Sequence, residues 1–394
     1  MCWGSFKRPL SAALAAALLT VAGACTPDFE PPEIVNDLRF LSISAEPPEQ
    51  ILWRDPSTIP PEVGAWLLQA LGGSPDPTAL CRSDGPAPPA TISSIAPVRI
   101  TPLLVDPRVP EAELGSRAFD YQVWACSAEG SSCTESEGYR VKLERGKAPL
   151  EQIRYDFTPD GELFRYALCE DRLLGFGGLP IVVELRVFDP ENDRWVIGAK
   201  RVAYTFWLPY SPVPAGKQAN QNPEFEQIEL TIKDADDQEV RKLRLADLGA
   251  SPLTLRRDEK LRIVPEVTEA SKERYAQVAT PDPTSGQTEI EELQLEECDK
   301  GEKRSSAKSV QCGVFFSWYF YATCGSLSHQ STGGAPSVLF DNKKINDPSS
   351  EWRPPEKTDA EPAPPTEATL WIVGTDGRGG TMWRSLKVSI AASP

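Results

Sequence analysis

The stretch Thr369–Ile390, TLWIVGTDGRGGTMWRSLKVSI, places two apolar-rich runs on either side of a glycine-rich connection. The runs Thr369–Asp376 and Trp383–Ile390 have the composition of β-strands, with β-branched and aromatic side chains. The connection Asp376–Gly380 suits a tight turn, because glycine adopts the backbone conformations that such turns need. The stretch therefore predicts a β-hairpin at the end of the chain.

A third strand is predicted upstream, in Val314–Cys324, VFFSWYFYATC. Successive side chains of a strand point to opposite faces, so alternate residues share one face. Here that face carries Val314, Phe316, Trp318, Phe320, Ala322 and Cys324. The same spacing puts Trp124 and Cys126 on one face of an earlier predicted strand.

The order of strands in this second half repeats an order in the first half. The first set is Leu38–Ala45, Val98–Asp106, Phe119–Cys126, Ile181–Asp189 and Arg194–Phe206, and the second is Phe225–Ile232, Leu261–Glu269, Val314–Cys324, Thr369–Asp376 and Trp383–Ile390. VRITPLLVD matches LRIVPEVTE, and Asp189 and Trp195 match Asp376 and Trp383. Such a repeat predicts two domains of the same architecture.

This layout resembles the immunoglobulin-like domains of many bacterial surface and secreted proteins, including the polycystic-kidney-disease-type modules. The final pair LWIVGTDGRGGTMWRSLKVSI is similar to their last two strands. The resemblance implies an all-β fold of two tandem immunoglobulin-like β-sandwich domains with long loop insertions. We expect domains at 37–211 and 224–394, a polar linker at 212–223, and two independent folding units.

The matched strands lie further apart than a domain of about 100 residues requires. Residues 47–95 and 270–312 are therefore predicted to be insertions, rich in proline and in charge, respectively. Within the first, Pro61–Leu71 precedes two glycines and predicts a short helix; Glu162–Leu174, before Gly175, predicts another. Loops on a rigid scaffold often carry binding, so both insertions are candidate recognition surfaces.

The N-terminus has the features of an export signal. Lys7 and Arg8 precede the apolar run Leu10–Val21, which is shorter than the roughly 20 residues that span a bilayer. The next residues, Ala-Gly-Ala-Cys ending at Cys25, resemble a lipobox, although Ala22 stands where leucine is usual. The resemblance implies a lipoprotein signal peptide at 1–24 and a lipid on Cys25. Simple secretion is the alternative, because Ala-x-Ala also suits the ordinary signal peptidase.

Residues 25–36 are acidic and rich in proline, as suits a stiff extended tether. Two or three acyl chains on Cys25 would hold the protein durably on a membrane. Thr26 stands where an aspartate would retain a lipoprotein at the inner membrane. We therefore expect an outer-membrane location, on the periplasmic or the surface side.

The net charge is −16, and removal of Lys7 and Arg8 with the signal makes it 39 − 57 = −18. Such a surface repels nucleic acid and anionic lipid headgroups. We therefore expect no nucleic-acid partner, and contact with a membrane only through the lipid on Cys25.

Seven cysteines remain in the mature chain besides Cys25, and export favours disulfides. The first half holds an even set. Cys126 and Cys133 are expected to close a short hairpin loop, and Cys298 and Cys312 the charged insertion. Cys324 is expected to be an unpaired, buried thiol. The remaining disulfide candidates are Cys81 and Cys169.

Catalytic motifs are weak. His329 is the only histidine, and Ser305-x-x-Lys308 lies in a charged segment without the other motifs of serine penicillin-recognising enzymes. Two acidic clusters could hold calcium but are better explained as hairpin-turn carboxylates: Asp234, Asp236 and Asp237, and Asp189, Asn192 and Asp193. We expect no active site, metal or cofactor.

The sequence thus predicts an envelope lipoprotein that works as a non-catalytic binding or structural module, with another envelope protein or a glycan as its partner. The alternatives are a glycan-binding or glycan-cleaving surface protein and a subunit of an envelope or secretion assembly. Trp352, in a polar segment, is the best candidate for an exposed sugar-stacking ring.

Overall fold

The computed structural model describes residues 32–72, 77–127, 133, 139–171, 174–175, 178–208, 213, 217–272, 316–333, 347–356 and 364–392. Over these ranges the fold is all-β, as the sequence predicts, apart from short helical segments. The α-helices are α1 (Pro61–Leu71), α2 (Glu111–Leu114) and α3 (Gly161–Glu170). None of the helices in the described ranges is long and apolar enough to cross a membrane.

The first half contains two sheets. The smaller has the order β1-β3-β6, with β1 (Arg39–Glu46), β3 (Val98–Val105) and β6 (Tyr155–Phe157). The larger has the order β2-β8-β7-β4-β5, with β2 (Glu49–Ile51), β4 (Ala118–Ser127), β5 (Arg140–Pro149), β7 (Leu179–Asp189) and β8 (Arg194–Thr205).

The second half also contains two sheets. One has the order β11-β18-β17-β13-β15, with β11 (Leu253–Arg256), β13 (Ser317–Ala322), β15 (Ser331–Gly333), β17 (Glu367–Thr375) and β18 (Thr381–Ala391). The other has the order β10-β9-β12-β16-β14, with β9 (Phe225–Lys233), β10 (Glu239–Arg244), β12 (Lys260–Val267), β14 (Ser326–Leu327) and β16 (Ser350–Arg353).

The predicted repeat is visible in this topology. The order β2-β8-β7-β4-β5 recurs as β11-β18-β17-β13-β15, and β1-β3-β6 recurs as β9-β12-β16. In both halves the short first strand of the larger sheet runs parallel to the last strand, β2 to β8 and β11 to β18, whereas the other pairs are antiparallel. All five matched pairs of predicted strands occupy equivalent positions, so the halves share one architecture.

Each half has its own apolar core between its two sheets. In the first half, helices α1 and α3 complete the layer opposite the larger sheet, and contribute Trp66, Leu67, Phe164 and Leu168. Helix α1 ends at Gly72, whose φ of 56° is the left-handed conformation typical of a helix C-terminus. Helix α3 begins after Asp160, whose carboxylate accepts a hydrogen bond from the Leu163 amide.

The first predicted insertion is therefore a packed part of the fold where it is described. Besides β2 and α1, it supplies Leu80, Ile92 and Ile95 to the core. The disulfide between Cys81 and Cys169 ties it to helix α3. A role as a free recognition loop does not fit these residues. Most of the second insertion, from residue 273 onward, lies outside the described residues.

The two halves pack on each other through an apolar contact. Leu41 on β1, with Leu103 and Val105 on β3, faces Trp371 on β17 and Tyr321 on β13. Tyr321 and Trp371 lie on the outer face of their sheet, because their neighbours in sequence point into the core. On the other side, Leu103 and Val105 flank the core residue Leu104, and Leu41 lies in a β-bulge between Phe40 and Ser42. The smaller sheet of the first half thus covers the larger sheet of the second.

The segment before β1 also joins the second half. Ile34 forms a parallel β-bridge with Ala322, and the Val35 amide donates to the Ala322 carbonyl at 2.8 Å. Val35 is fully buried in the contact between the halves. The predicted tether at 25–36 is therefore fixed to the fold from residue 33, while residues 25–31 lie outside the described residues.

A polar cluster, the seam cluster, joins the halves beside the apolar contact. The buried Glu49 carboxylate accepts hydrogen bonds from Thr205 Oγ1 (2.8 Å) and the Asn220 amide (2.9 Å). It also pairs with Lys217 (3.0 Å) and with Arg378 of the second half (3.1 Å). Burial raises the pKa of Glu49, but the Lys217 charge and these hydrogen bonds outweigh burial and hold the pKa below its usual value.

Two further contacts complete the seam cluster. Asn220 Nδ2 donates to Asp376 at 2.8 Å, and Lys200 Nζ donates to Thr381 Oγ1 at 2.6 Å. Burial lowers the pKa of Lys200 to about 8, opposed by the charge of Asp376. The described end of the predicted linker, from Lys217 onward, is thus built into the contact between the halves. The division at 37–211 and 224–394 stays a prediction, and the contacts favour halves that stabilise each other.

Candidate functional site

Several predicted site residues lie outside the described residues. These are Cys25, Cys298 and Cys312, together with Ser305 and Lys308. Among those described, Cys126 forms a disulfide with Cys133, the short-loop pairing that the sequence predicts. Cys324 is a free, half-buried thiol, and burial raises its pKa.

The prediction for Trp352 is wrong. Its side chain is fully buried in the core of the second half, and its indole N–H donates to the Cys324 carbonyl at 2.8 Å. Trp352 lies opposite Leu261 at the start of β12, as Phe157 lies opposite Val98 at the start of β3. The two aromatic residues are therefore equivalent core residues of the repeat.

The acidic clusters form hairpin turns. Asp189 accepts from the Glu191 amide (3.1 Å), Asn192 Nδ2 (2.8 Å) and Arg108 (3.0 Å). Its equivalent, Asp376, accepts from the backbone amides of Arg378 and Gly380, both at 2.8 Å.

The other acidic turn has the same chemistry. Asp234 accepts from the amides of Asp236 and Gln238, and Asp237 pairs with Lys260. No group of three or more metal-ligating side chains occurs in the part of the chain that the structure describes. His329 lies exposed, with its Nδ1 3.1 Å from Ser328 Oγ.

The outer face of the larger sheet of the first half carries the most distinctive surface. Along β4, Val123 and Ala125 point into the core, so Gln122, Trp124 and Cys126 point outward. Trp124 therefore differs from Trp318, the tryptophan of the matched strand β13, which lies in the core of the second half. The two residues of the predicted pair, Trp124 and Cys126, do share a face, but it is the outer one.

Cationic side chains surround Trp124 on this face. In the strand register, Lys142 of β5 and Glu184 of β7 lie opposite Trp124, and Arg145 and Arg186 lie opposite Gln122. We call this surface the basic face; it comprises Asp120, Trp124, Arg140, Lys142, Arg145, Lys147, Glu184, Arg186, Trp195, Ile197 and Arg201.

Trp124 orders two of these cations. The guanidinium carbon of Arg186 lies 4.8 Å from its ring centroid, and Lys142 Nζ lies 5.5 Å from it. Both distances are within the range of cation–π attraction. The cations are therefore supported by packing and are not freely mobile surface charges.

The basic face carries two acidic groups: Asp120, which is partly exposed and pairs with Lys147 at 3.7 Å, and Glu184, which is hidden. Glu184 is fully buried, pairs with Arg186 and accepts a hydrogen bond from the Cys133 amide at 2.7 Å. The disulfide to Cys126 fixes Cys133 over the sheet at this point. Glu184 thus anchors Arg186 without presenting its own charge to solvent.

Exposed apolar side chains lie at one corner of the basic face. Trp195 is 38% exposed and Ile197 is 44% exposed, on alternate positions of β8. Phe188 supports Trp195 from the neighbouring strand, with ring centroids 5.4 Å apart. Large exposed apolar groups next to ordered cations are typical of binding surfaces.

The corresponding face of the second half has a different environment. Tyr321 lies opposite Trp371 in the second half at the positions that Trp124 and Glu184 occupy in the first. Tyr321 and Trp371 are covered by the first half, through Leu41, Leu103 and Val105. The equivalent face of the sandwich is therefore a protein contact in one half, and in the other it presents exposed Lys142, Arg145, Trp195 and Arg201.

The fold and this surface define an all-β sandwich protein with a cationic sheet face. No protein-family model and no curated protein matches the sequence. Among solved structures, the chain is similar to dimeric latent PorU from Porphyromonas gingivalis (8% identity, 76% of this chain and 22% of that chain, TM-score 0.19). It is also similar to a tetra-tandem repeat in the extending region of a large adhesion protein (9% identity, 76% and 71%, TM-score 0.16). The chain spans only about a fifth of PorU.

Proposed function

We propose that this protein is a lipid-anchored lipoprotein of the bacterial outer membrane that works by binding, through the basic face, and has no catalytic activity. Its two halves would be tandem immunoglobulin-like domains. The observation that carries the proposal is that the outer face of the larger sheet is covered in the second half and exposed in the first. The second half uses that face for a protein contact. The first half presents it with exposed Trp195 and ordered cations.

The anchor rests on the Ala-Gly-Ala-Cys motif and on the proline-rich residues after Cys25. Two disulfides among the described residues fit an extracytoplasmic, oxidising compartment. Residues 25–31 would then link the lipid to the first residue that is fixed to the fold, at position 33.

Cys25→Ser tests the anchor. The variant should appear in the soluble fraction or accumulate as an unprocessed precursor, because serine cannot accept the thioether-linked lipid. The measurement is membrane fractionation followed by mass determination. Cys324→Ser is the matched control and should stay membrane-bound. A Cys25→Ser protein that remains on the membrane at full mature size would exclude lipid attachment there.

Binding through the basic face is supported by its composition, since interface energy concentrates in Trp and Arg side chains with good packing. Non-catalytic action is supported by the exposed position of His329 and by the hydrogen-bonded turn roles of the acidic clusters. These groups have structural partners and do not converge on a common point.

Trp195→Ala tests the proposed binding role. Retention of the mature protein on washed outer-membrane and cell-wall fractions, with the anchor removed by Cys25→Ser in both proteins, should fall about tenfold, the usual loss for one interface tryptophan. Tyr166→Ala is the control, because Tyr166 is an aromatic side chain of similar exposure (37%) on helix α3. Equal retention of the two variants would contradict the proposal.

A further inference from the structure

We infer that the ligand of the basic face is an acidic polysaccharide, a sugar chain carrying repeated carboxylate or phosphate groups. This inference rests on the proposed binding function and specifies its ligand. It follows from the spacing of the cations, the position of the exposed tryptophan and the shape of the surface.

The cations form a line rather than a pocket. Arg140, Lys142, Arg145 and Lys147 lie on one strand, β5, and all are exposed. At about 3.3 Å per residue, Arg140 and Lys147 are roughly 23 Å apart along the strand. A single small anion could reach only one or two of these groups, whereas a polymer with regularly spaced charges could contact all of them.

A second set of cations widens this line. Arg201 lies on β8, and three inter-strand spacings of about 4.8 Å separate β8 from β5; Arg186, on β7 between them, is largely buried and paired with Glu184. The cationic area is thus about 14 Å wide, enough for an extended chain of sugar rings. Among the described residues, no carboxylate lies within salt-bridge distance of Lys142, Arg145 or Arg201, so their charges are available to a ligand.

Trp195 supplies the contact that a sugar ring needs. Its indole is partly exposed, held against Phe188, and next to exposed Ile197. A pyranose ring has an apolar C–H face that stacks on a flat aromatic surface, while its acidic substituents point to the side. On this surface the side toward β5 carries Asp120, paired with Lys147, and then the exposed cations of β5.

Other polyanions fit less well. Single-stranded nucleic acid binds by stacking successive bases on several aromatic side chains, and Trp195 is the only large exposed ring on the basic face of the described residues. A protein partner would be expected to contact an apolar centre poor in lysine, whereas here the apolar groups lie at one corner.

The test is binding of the mature full-length chain to immobilised polygalacturonate, with dextran, polyglutamate and a single-stranded oligonucleotide as comparison probes. We expect binding to polygalacturonate that weakens at least tenfold between about 50 mM and about 500 mM salt. At the lower salt concentration, the double variant Lys142→Gln and Arg145→Gln should bind polygalacturonate about tenfold more weakly than the unchanged protein does. The matched control, Arg241→Gln with Lys242→Gln on the exposed edge strand β10, removes the same charge and should have little effect.

The outcomes separate the two proposals. Equal binding to dextran, or equal loss in both double variants, would show that the charges of the basic face do not select the ligand. Binding of polyglutamate or the oligonucleotide as tight as that of polygalacturonate would overturn the assignment to polysaccharide. If polygalacturonate does not bind but envelope retention still depends on Trp195, the inference fails and the proposed function stands. If polygalacturonate does not bind and envelope retention does not depend on Trp195, the inference and the proposed function both fail.

Discussion

Replacement of Trp352 by alanine is expected to lower the free energy of unfolding by about 3–5 kcal/mol, the usual cost of removing a buried tryptophan. Trp352 is fully buried and is the largest such side chain among the described residues. The change would also leave the Cys324 carbonyl, its hydrogen-bond acceptor, without that partner.

Urea unfolding followed by circular dichroism measures this loss. Trp195→Ala is the matched control, because the same side chain is removed from a position that is 38% exposed, and its cost should be clearly smaller than that of Trp352→Ala. Similar costs for the two variants would mean that Trp352 is not a core residue. The pair also separates folding from binding, since only Trp195→Ala should reduce envelope retention.

Glu49→Ala should cost a similar amount, about 3–5 kcal/mol, because it removes the buried carboxylate that pairs with the partly buried cations Lys217 and Arg378. The seam cluster joins the halves, so the variant should also separate their unfolding into two transitions. Limited proteolysis should then cut between residues 217 and 222, where Asn220 is otherwise buried. Glu239→Ala, an exposed glutamate on β10, is the control. One unchanged cooperative transition in Glu49→Ala would contradict a coupling role.

The same residue predicts a pH dependence. The pKa of Glu49 is lower in the folded protein than its usual value of 4.5, so its stabilising contribution is fully present above pH 4.5. That contribution is lost as the pH falls through the folded-state pKa, because protonation then favours the unfolded chain. Coupling between the halves should therefore weaken in acid, and Glu49→Gln should remove this part of the acid sensitivity.

The strands could be predicted because alternation is a local property. Each of the ten predicted strands coincides with an observed strand to within a few residues, and helix α1 has the predicted limits. The strands that the sequence does not reveal are short, except for the ten-residue β5 (Arg140–Pro149), which is rich in charged residues. β16 has only four residues, Ser350–Arg353, with prolines nearby, so Trp352 looked like a loop residue. Its equivalence to Phe157 is visible only from the strand register.

The basic face could not be predicted from composition. Net charge is a sum over the chain, and a sum of −16 does not reveal a surface on which the cations of β5, β7 and β8 come together. The signal that could have indicated it is the alternation R-x-K on β5, with Arg145 and Lys147 returned to the same face by a bulge opposite Val123 and Trp124. The pairing of Cys81 with Cys169, 88 residues apart, likewise depends on how helices α1 and α3 pack.

The bridge between Ile34 and Ala322 has a mechanical consequence. Tension that reaches the fold through the residues before position 33 meets the second half first, at the hydrogen bonds between Glu33, Val35 and Ala322. The force is then shared between the two halves of the protein, and it does not act on β1 of the first half alone. With the proposed anchor and ligand in place, the fold would resist a pull between them, and the short bridge would be the first contact to break.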